Sequence, residues 1–292
     1  MDMYKQKAYF VKHHLILYIG NKLSVHGYTP TSVETLGVQL SEYFEIITVS
    51  DKKNKILRML DIVFTVMQYR NRISKVIIDT YSTSNFYFAF VAAGLCRAYN
   101  IPYIPILHGG SLPQRLDKSK LLSKFIFTHS LTNVVPSGYL QYEFNRRGYQ
   151  NVVLIPNNIN ISIYTFKVRE IISPRLLWVR SFASCYNPAM AVRVLAELKK
   201  THPEAELCMV GQDKDGSMLK SQQLANLLGI ACSVTFTGKL TKQAWIKLSE
   251  QYNIFINTTD VDNTPVSVIE AMALGLPVIS TNVGGDAIFN YG

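Results

Sequence analysis

Along the chain, short continuous apolar runs alternate with longer stretches in which apolar side chains recur every third or fourth position. LILYI (15–19), EIITV (45–49) and KVIID (75–79) are runs of the first kind. Such runs fit strands buried on both faces of a parallel sheet, and the second spacing fits helices with one apolar face. The pattern predicts strands at 15–19, 45–49, 75–79, 102–107, 131–135 and 152–155, with helices at 31–43, 56–70, 85–99, 119–127 and 138–147 between them. The rhythm breaks over 156–174, which reads as a linker, and then restarts. Strands at 175–179, 206–210, 233–237, 254–257 and 277–280 alternate with helices at 188–200, 217–228, 242–251 and 265–274. Strand–helix alternation of this kind builds right-handed crossovers and parallel sheets. The expectation is an α/β chain of two doubly wound domains, 1–165 and 166–292, with ligands at the carboxyl ends of the strands and a cleft between the domains as the natural site.

Composition agrees with two packed domains. The chain has 292 residues, 48% of them hydrophobic and 17% charged, which excludes a disordered chain. Its four cysteines form no C-x-x-C pair, which rules out a disulfide scaffold and argues against a cysteine-built zinc site. No His and carboxylate cluster has metal-ligand spacing, so no metal and no cofactor is expected. The N-terminal MDMYKQKAYFVKHH lacks the apolar stretch of a signal peptide, and the longest apolar run, near 86–96, is too short to cross a bilayer. A cytoplasmic protein is expected.

Charge changes the picture once it is divided. Residues 1–165 carry 18 Lys and Arg against 9 Asp and Glu, whereas residues 166–292 carry 12 against 11. The excess in the first half reads either as a soluble basic surface or as suited to an anionic partner, a membrane surface or a phosphorylated substrate rather than nucleic acid. KKNKILRMLDIVFTVMQYRNR (52–72) has helical apolar spacing with cations at both ends, and RLDKSKLLSK (115–124) adds a second basic stretch. A helix of this kind lying on an anionic membrane is one reading, and a core helix with solvated ends is the other.

The densest chemistry lies in DVDNTPVSVIEAMALGLPVISTNVGG (260–285). Thr264 suits a helix N-cap and Pro265 the first helical position; Gly275 suits the C-terminal turn, and Pro277 prevents continuation. The unbonded amides of Val266 and Ser267 would then point out of the helix start, an anion site suited to a diphosphate. Glu270, further along the same helix, is placed to accept hydrogen bonds from vicinal hydroxyls such as those of a ribose. Any well-capped helix of an α/β domain would share the capping features.

Asp262, seven residues, Glu270, then Ala271-Met272-Ala273-x-Gly275-x-Pro277-Val278-Ile279 and Gly284-Gly285 resemble the motif of glycosyltransferase family 4. These are retaining, nucleotide-sugar-dependent enzymes of the GT-B fold, two Rossmann-like domains facing a cleft. The resemblance implies a nucleotide-sugar donor, a glycan or lipid-linked hydroxyl acceptor, and cell-surface polysaccharide or lipopolysaccharide synthesis at the inner face of the cell membrane. Glu270 matches the residue that binds the donor ribose. Asp262 stands where the family has a Glu that contacts the transferred sugar, one methylene shorter. Arg180, ending RLLWVR, matches the Arg that binds the donor diphosphate, but the Lys that follows it in the family is absent from SFASCYNP.

The resemblance extends more loosely to other strand ends. Gly211, and the Gly238-Lys239 turn, match loops around the nucleotide, with Lys239 a further cation for the diphosphate. Gly20, His26 and Gly27 lie in a loop like the one that borders donor phosphate and acceptor. His108, before Gly109-Gly110, stands where family members commonly have a His that contacts the donor sugar. The family's mechanism needs no metal, because the helix dipole and cations stabilise the leaving diphosphate. The family domain normally continues beyond Gly284-Gly285, so the second domain is expected to be incomplete. A nucleotide-sugar epimerase on the same fold and a non-catalytic nucleotide-binding module also fit these residues.

Overall fold

A computed structural model describes residues 15–28, 30–169 and 173–284 of the chain. The chain divides into two compact units, Met1–Pro156 and Asn157–Gly292.

In the first unit, β1 (Leu15–Ile19), β2 (Glu45–Val49), β3 (Ile73–Tyr81), β4 (Tyr103–His108), β5 (Asn133–Val135) and β6 (Val152–Leu154) form one sheet in the order β2-β1-β3-β4-β5-β6. All pairs are parallel, with Leu17 opposite Ile47 on one side and Val76 on the other. Every residue of β1 is buried, as its continuous apolar run demands. The crossovers are α1 (Ser32–Ser41), α2 (Lys55–Tyr69), α3 (Phe86–Ala98), α4 (Leu112–Lys118), α5 (Lys120–Phe127) and α6 (Gly138–Asn145). Thr31 and Glu34 close a reciprocal capping box at the start of α1, and the Asn54 side chain accepts from the amides of Ile56 and Leu57 at the start of α2. Helix α4 goes beyond the sequence expectation. Its seven residues offer only Leu112 and Leu116 as a buried repeat, too little for periodicity to register. The strand order changes direction between β1 and β3, which leaves a crevice at their carboxyl ends.

The second unit repeats the logic. Strands β7 (Arg175–Val179), β8 (Glu206–Val210), β9 (Val234–Gly238), β10 (Ile254–Asn257) and β11 (Val278–Ser280) run parallel in the order β11-β10-β7-β8-β9. Helices α7 (Pro188–Leu198), α8 (Ser217–Leu227), α9 (Lys242–Ser249) and α10 (Val266–Ala273) cover it. Alternation along β7 sends Trp178 into one apolar cluster, with Phe182, Val192 and Leu195, and Leu177 into another, with Phe255, Val268 and Ala271. Here the reversal of strand order falls between β7 and β10.

Two local expectations need adjustment. The segment read as a linker is tied into the second unit from Asn157 onward. The Asn157 side chain donates to the Thr264 carbonyl at 2.9 Å, Tyr164 is buried against α10, and Arg169 donates to the carbonyls of Leu274 and Tyr252. The helix expected to begin at Pro265 begins at Val266. Pro265 is the extended N-cap, with ψ 118°, and its carbonyl accepts from Val268 and Ile269. Gly275 does end the helix with φ +73°, its α-carbon packed against the Lys167 carbonyl where a side chain would collide.

Candidate functional site

The second unit concentrates its polar groups where the strand order reverses. Arg180 directly follows β7, and its amide donates to the Val210 carbonyl, extending the ladder by one bond. Its guanidinium lies over the Tyr186 ring, 4.1 Å from the centroid, and forms an ion pair with Asp262 from the loop after β10. Both side chains are nearly buried, and Nε of Arg180 makes no hydrogen bond among the described residues. Tyr186 therefore gives the Arg180 guanidinium an aromatic face. The loops are stitched together behind this pair. The Asp260 amide donates to the Cys185 carbonyl, Asn187 Nδ2 donates to Asp260 at 3.0 Å, and the Thr258 hydroxyl links Trp178 Nε1 to the carbonyls of Tyr186 and Asn187. Gly284 packs its α-carbon against the Asp262 carbonyl, so the second half of the motif holds the first in place.

At the start of α10, the amides of Val266 and Ser267 donate to no group among the described residues, as expected for the first turn of a helix. The Ser267 hydroxyl is buried and also makes no hydrogen bond. Three donors without a partner thus stand at the positive end of one helix. Glu270, one turn further, is buried with an engaged carboxylate. The Tyr164 hydroxyl donates to its Oε1 at 2.7 Å, and Lys242 forms an ion pair with the same oxygen. Burial, reinforced by this hydrogen bond, pushes the Tyr164 pKa upward, so the phenol remains a donor.

Gly211 and Gly238 are adjacent, the amide of the first donating to the carbonyl of the second at 2.9 Å. Gly211 also lies against the Arg180 carbonyl with no room for a β-carbon, which gives it a packing reason to be glycine. Lys239 is exposed on this turn. It is Lys242, at the start of α9, that pairs with Glu270. Neither Lys242 nor Tyr164 stood out in the sequence. One is the first residue of a modest helix and the other sits in a segment without periodicity.

The first unit holds its own polar cluster at the β1/β3 crevice. His108, the last residue of β4, places Nε2 2.8 Å from Asp79 Oδ1, and its ring stacks on Tyr81 with centroids 4.8 Å apart. The Tyr18 hydroxyl donates to the same Asp79 oxygen at 2.9 Å, and Asp79 Oδ2 accepts no hydrogen bond among the described residues. Gly20 packs against Asp79 so closely that a β-carbon there would lie 2.5 Å from Oδ2. Asp79 thus joins two residues picked from sequence, Gly20 and His108. A carboxylate ending an apolar strand was the available signal. His26 and Gly27 are apart from this cluster, in an exposed turn where the His26 ring meets the Asp51 carbonyl at 2.9 Å. Among the described residues, no three His, Cys, Asp or Glu side chains are grouped to hold a metal ion, and no helix is long and apolar enough to cross a membrane.

Part of the chain is similar to known proteins. Residues 172–287 match the family model described as glycosyl transferases group 1. The Vi polysaccharide biosynthesis protein VipC/TviE of Salmonella typhi is 32% identical over 108 residues, which are 36% of this chain and 18% of that protein. The match therefore spans about a fifth of that relative's length. Among solved structures, Anabaena Alr3699/HepE in complex with UDP-glucose has a TM-score of 0.72 at 16% identity, covering 96% of this chain and 84% of its own. The lipopolysaccharide outer core galactosyltransferase WaaB has a TM-score of 0.66 at 19% identity, covering 92% of this chain and 81% of its own. At these identities the likeness is one of fold, an α/β architecture of the GT-B type with parallel sheets of six and five strands.

Proposed function

We propose that this chain, whose residues 172–287 match the family model described as glycosyl transferases group 1, transfers a sugar from a nucleotide-sugar donor to a hydroxyl acceptor with retention at the anomeric carbon. The observation that carries this reading is the set of unused donors at the start of α10. The amides of Val266 and Ser267 and the buried Ser267 hydroxyl form a preorganised anion site, and Arg180 lies after the neighbouring strand β7. A diphosphate carries more charge than the Asp262 carboxylate and competes with it for the guanidinium. As the bond from the anomeric carbon to the β-phosphate oxygen breaks, negative charge grows on that oxygen. Fixed donors then bind the transition state more strongly than the ground state. Glu270 holds the ribose hydroxyls. Asp262, released from Arg180, orients the transferred sugar, and Gly211, Gly238 and Lys239 border the nucleotide. The leaving phosphate itself takes the acceptor proton.

The names of the relatives support an acceptor in a cell-surface polysaccharide or lipopolysaccharide. A hydroxyl on a lipid-linked glycan would bring the protein to a membrane. The outward face of α2 favours that location, since Ile56, Leu57, Leu60, Phe64 and Met67 are all exposed along one stripe with Lys53 just ahead of it. Helices α4 and α5 suit it less, because Arg115 turns inward to the Ser82 carbonyl and the Phe86 ring.

Calorimetric titration with uridine, adenosine and guanosine diphosphates and their sugar conjugates tests the donor site. One nucleotide is expected to bind selectively. Ser267→Ala is expected to weaken it about three- to tenfold, the worth of one hydrogen bond to a charged group. A folded chain that binds none of them would refute the reading.

A further inference from the structure

Glu270 is constrained in a way that its motif does not require. Two donors converge on a single carboxylate oxygen, Oε1. They are the Tyr164 hydroxyl, 106 positions away in sequence, and Lys242 from the first turn of α9. Oε2 accepts no hydrogen bond among the described residues. We propose that Tyr164 and Lys242 are positioning residues that lock the Glu270 carboxylate through Oε1, so that Oε2 is presented to the vicinal hydroxyls of a ribose and the site discriminates ribonucleotides from 2′-deoxyribonucleotides. The inference rests on the donor-site reading above and names the part of the donor that this clamp reads.

The physical case has three parts. A glutamate side chain turns freely about its last bond, and an unanchored carboxylate would share its two oxygens between many orientations. Donors fixed to one oxygen define the plane of the group before any ligand arrives, which spares the ligand that ordering cost. Burial adds the second part. The Glu270 side chain is only 5% exposed, and a carboxylate there needs compensation, which the Lys242 cation gives. The third part is the rigidity of the donors. Tyr164 is buried in the cluster of Val268, Ala271 and Leu274, and the Lys242 ammonium lies 5.7 Å from the centre of the Trp245 ring. Arg169 and Asn157 tie the segment around Tyr164 to the ends of α10, so the hydroxyl is carried by a backbone that moves with the helix.

The test measures binding of uridine, adenosine and guanosine diphosphates and their 2′-deoxy counterparts to the full chain. The wild type is compared with Tyr164→Phe, Lys242→Met and Glu270→Gln, each first checked for folding by circular dichroism and melting. The wild type is expected to prefer one ribonucleotide over its deoxy form about tenfold, as a site built to bond a hydroxyl does. Tyr164→Phe is expected to cut that ratio at least threefold by weakening the ribonucleotide and leaving the deoxynucleotide unchanged. Lys242→Met, at an exposed position, is expected to act in the same direction and keeps the test available if the tyrosine variant unfolds. A purely structural role for these residues would weaken both nucleotides alike. A Tyr164→Phe protein with the wild-type ratio overturns the clamp and leaves the donor site standing. Equal losses of both nucleotides in Lys242→Met assign that lysine to the phosphates and overturn its part in the clamp. A folded wild type that binds no nucleotide removes the donor-site reading, and this inference with it.

Discussion

Arg180 and Asp262 form the ion pair on which the proposed donor site turns. Each follows a strand on one side of the reversal in strand order, and each is nearly buried. An anionic ligand therefore meets Arg180 already occupied. Asp262→Asn removes that competition while keeping the shape of the side chain. It is expected to tighten nucleoside diphosphate binding about three- to tenfold and to lower sugar transfer, because the group that would orient the sugar has lost its charge. Arg180→Met acts in the opposite direction. It is expected to weaken the diphosphate at least tenfold and to cost about 1–3 kcal/mol of stability, since it removes the ion pair and leaves the nearly buried carboxylate with the Asn263 amide at 2.7 Å as its donor among the described residues. Titration calorimetry and melting of the two variants check both signs. Arg180 was legible from its position at the end of an apolar strand, and Asp262 from its spacing to Glu270 in the family-like motif. Tyr164 and Lys242 were not legible, because their contacts depend on a segment of 157–169 folding back on α10, which no local pattern encodes. Asp79 lies between these cases, its burial implied by the apolar strand around it and its partners, Tyr18 and His108, set by sheet order.

At the scale of elements, the strands and long helices were readable because each carries a continuous or periodic apolar run. Short α4 was not, because seven residues hold too few apolar side chains for a period, and the start of α10 was read one residue early from its capping residues. Periodicity also leaves open which face of α2 meets solvent. The buried face is Arg58, Ile62 and Val66, while Ile56 and Phe64, on the other face, are 72% and 66% exposed. Soluble proteins rarely leave so continuous an apolar stripe uncovered. The chain is expected to sediment with vesicles containing anionic lipid and to be released at about 0.5 M salt. Phe64→Glu together with Leu60→Gln, both at exposed positions, is expected to abolish retention without changing the melting temperature. Retention unchanged in that double variant would assign the contact elsewhere. A second element-level link joins the loop after β7 to α8. Asp215 accepts from the Ser184 amide at 2.8 Å and from Ser217, and these hydrogen bonds lower its pKa to about 2. A carboxylate depressed in the folded state contributes above its unfolded value, and the contribution is lost as pH falls through about 2. Carboxyl-carbon shifts followed by NMR should titrate near that value in the wild type, and Ser217→Ala should raise the midpoint towards the ordinary carboxylate range.

For the whole molecule, the decisive fact is that each unit owns its core. Leu17, Ile78, Phe86 and Phe127 belong to the first, and Trp178, Leu195, Leu177 and Phe255 to the second. The groups assigned to the donor phosphates and ribose lie within one of these units, from Tyr164 to Ser267 and Glu270. Charge is divided along nearly the same line, with the excess of cations before residue 166. Donor binding and membrane contact are thus assigned to different cores, and damage to one should leave the other's property intact. Leu17→Ala removes a fully buried side chain from β1 and is expected to destabilise the first unit by about 2–5 kcal/mol. Nucleoside diphosphate affinity, measured below the first melting transition, should stay within about twofold of the wild type, while retention by anionic vesicles should fall with the first unit's melting. Trp178→Leu opens a cavity behind Thr258, whose hydroxyl accepts from the indole at 3.0 Å, and is expected to do the reverse. It should weaken nucleotide binding through the loops that hold Arg180 and Asp262 and leave vesicle retention unchanged. If Leu17→Ala lowered nucleotide affinity as much as Trp178→Leu does, the two cores would be energetically one, and the assignment of donor binding to the second unit alone would fail.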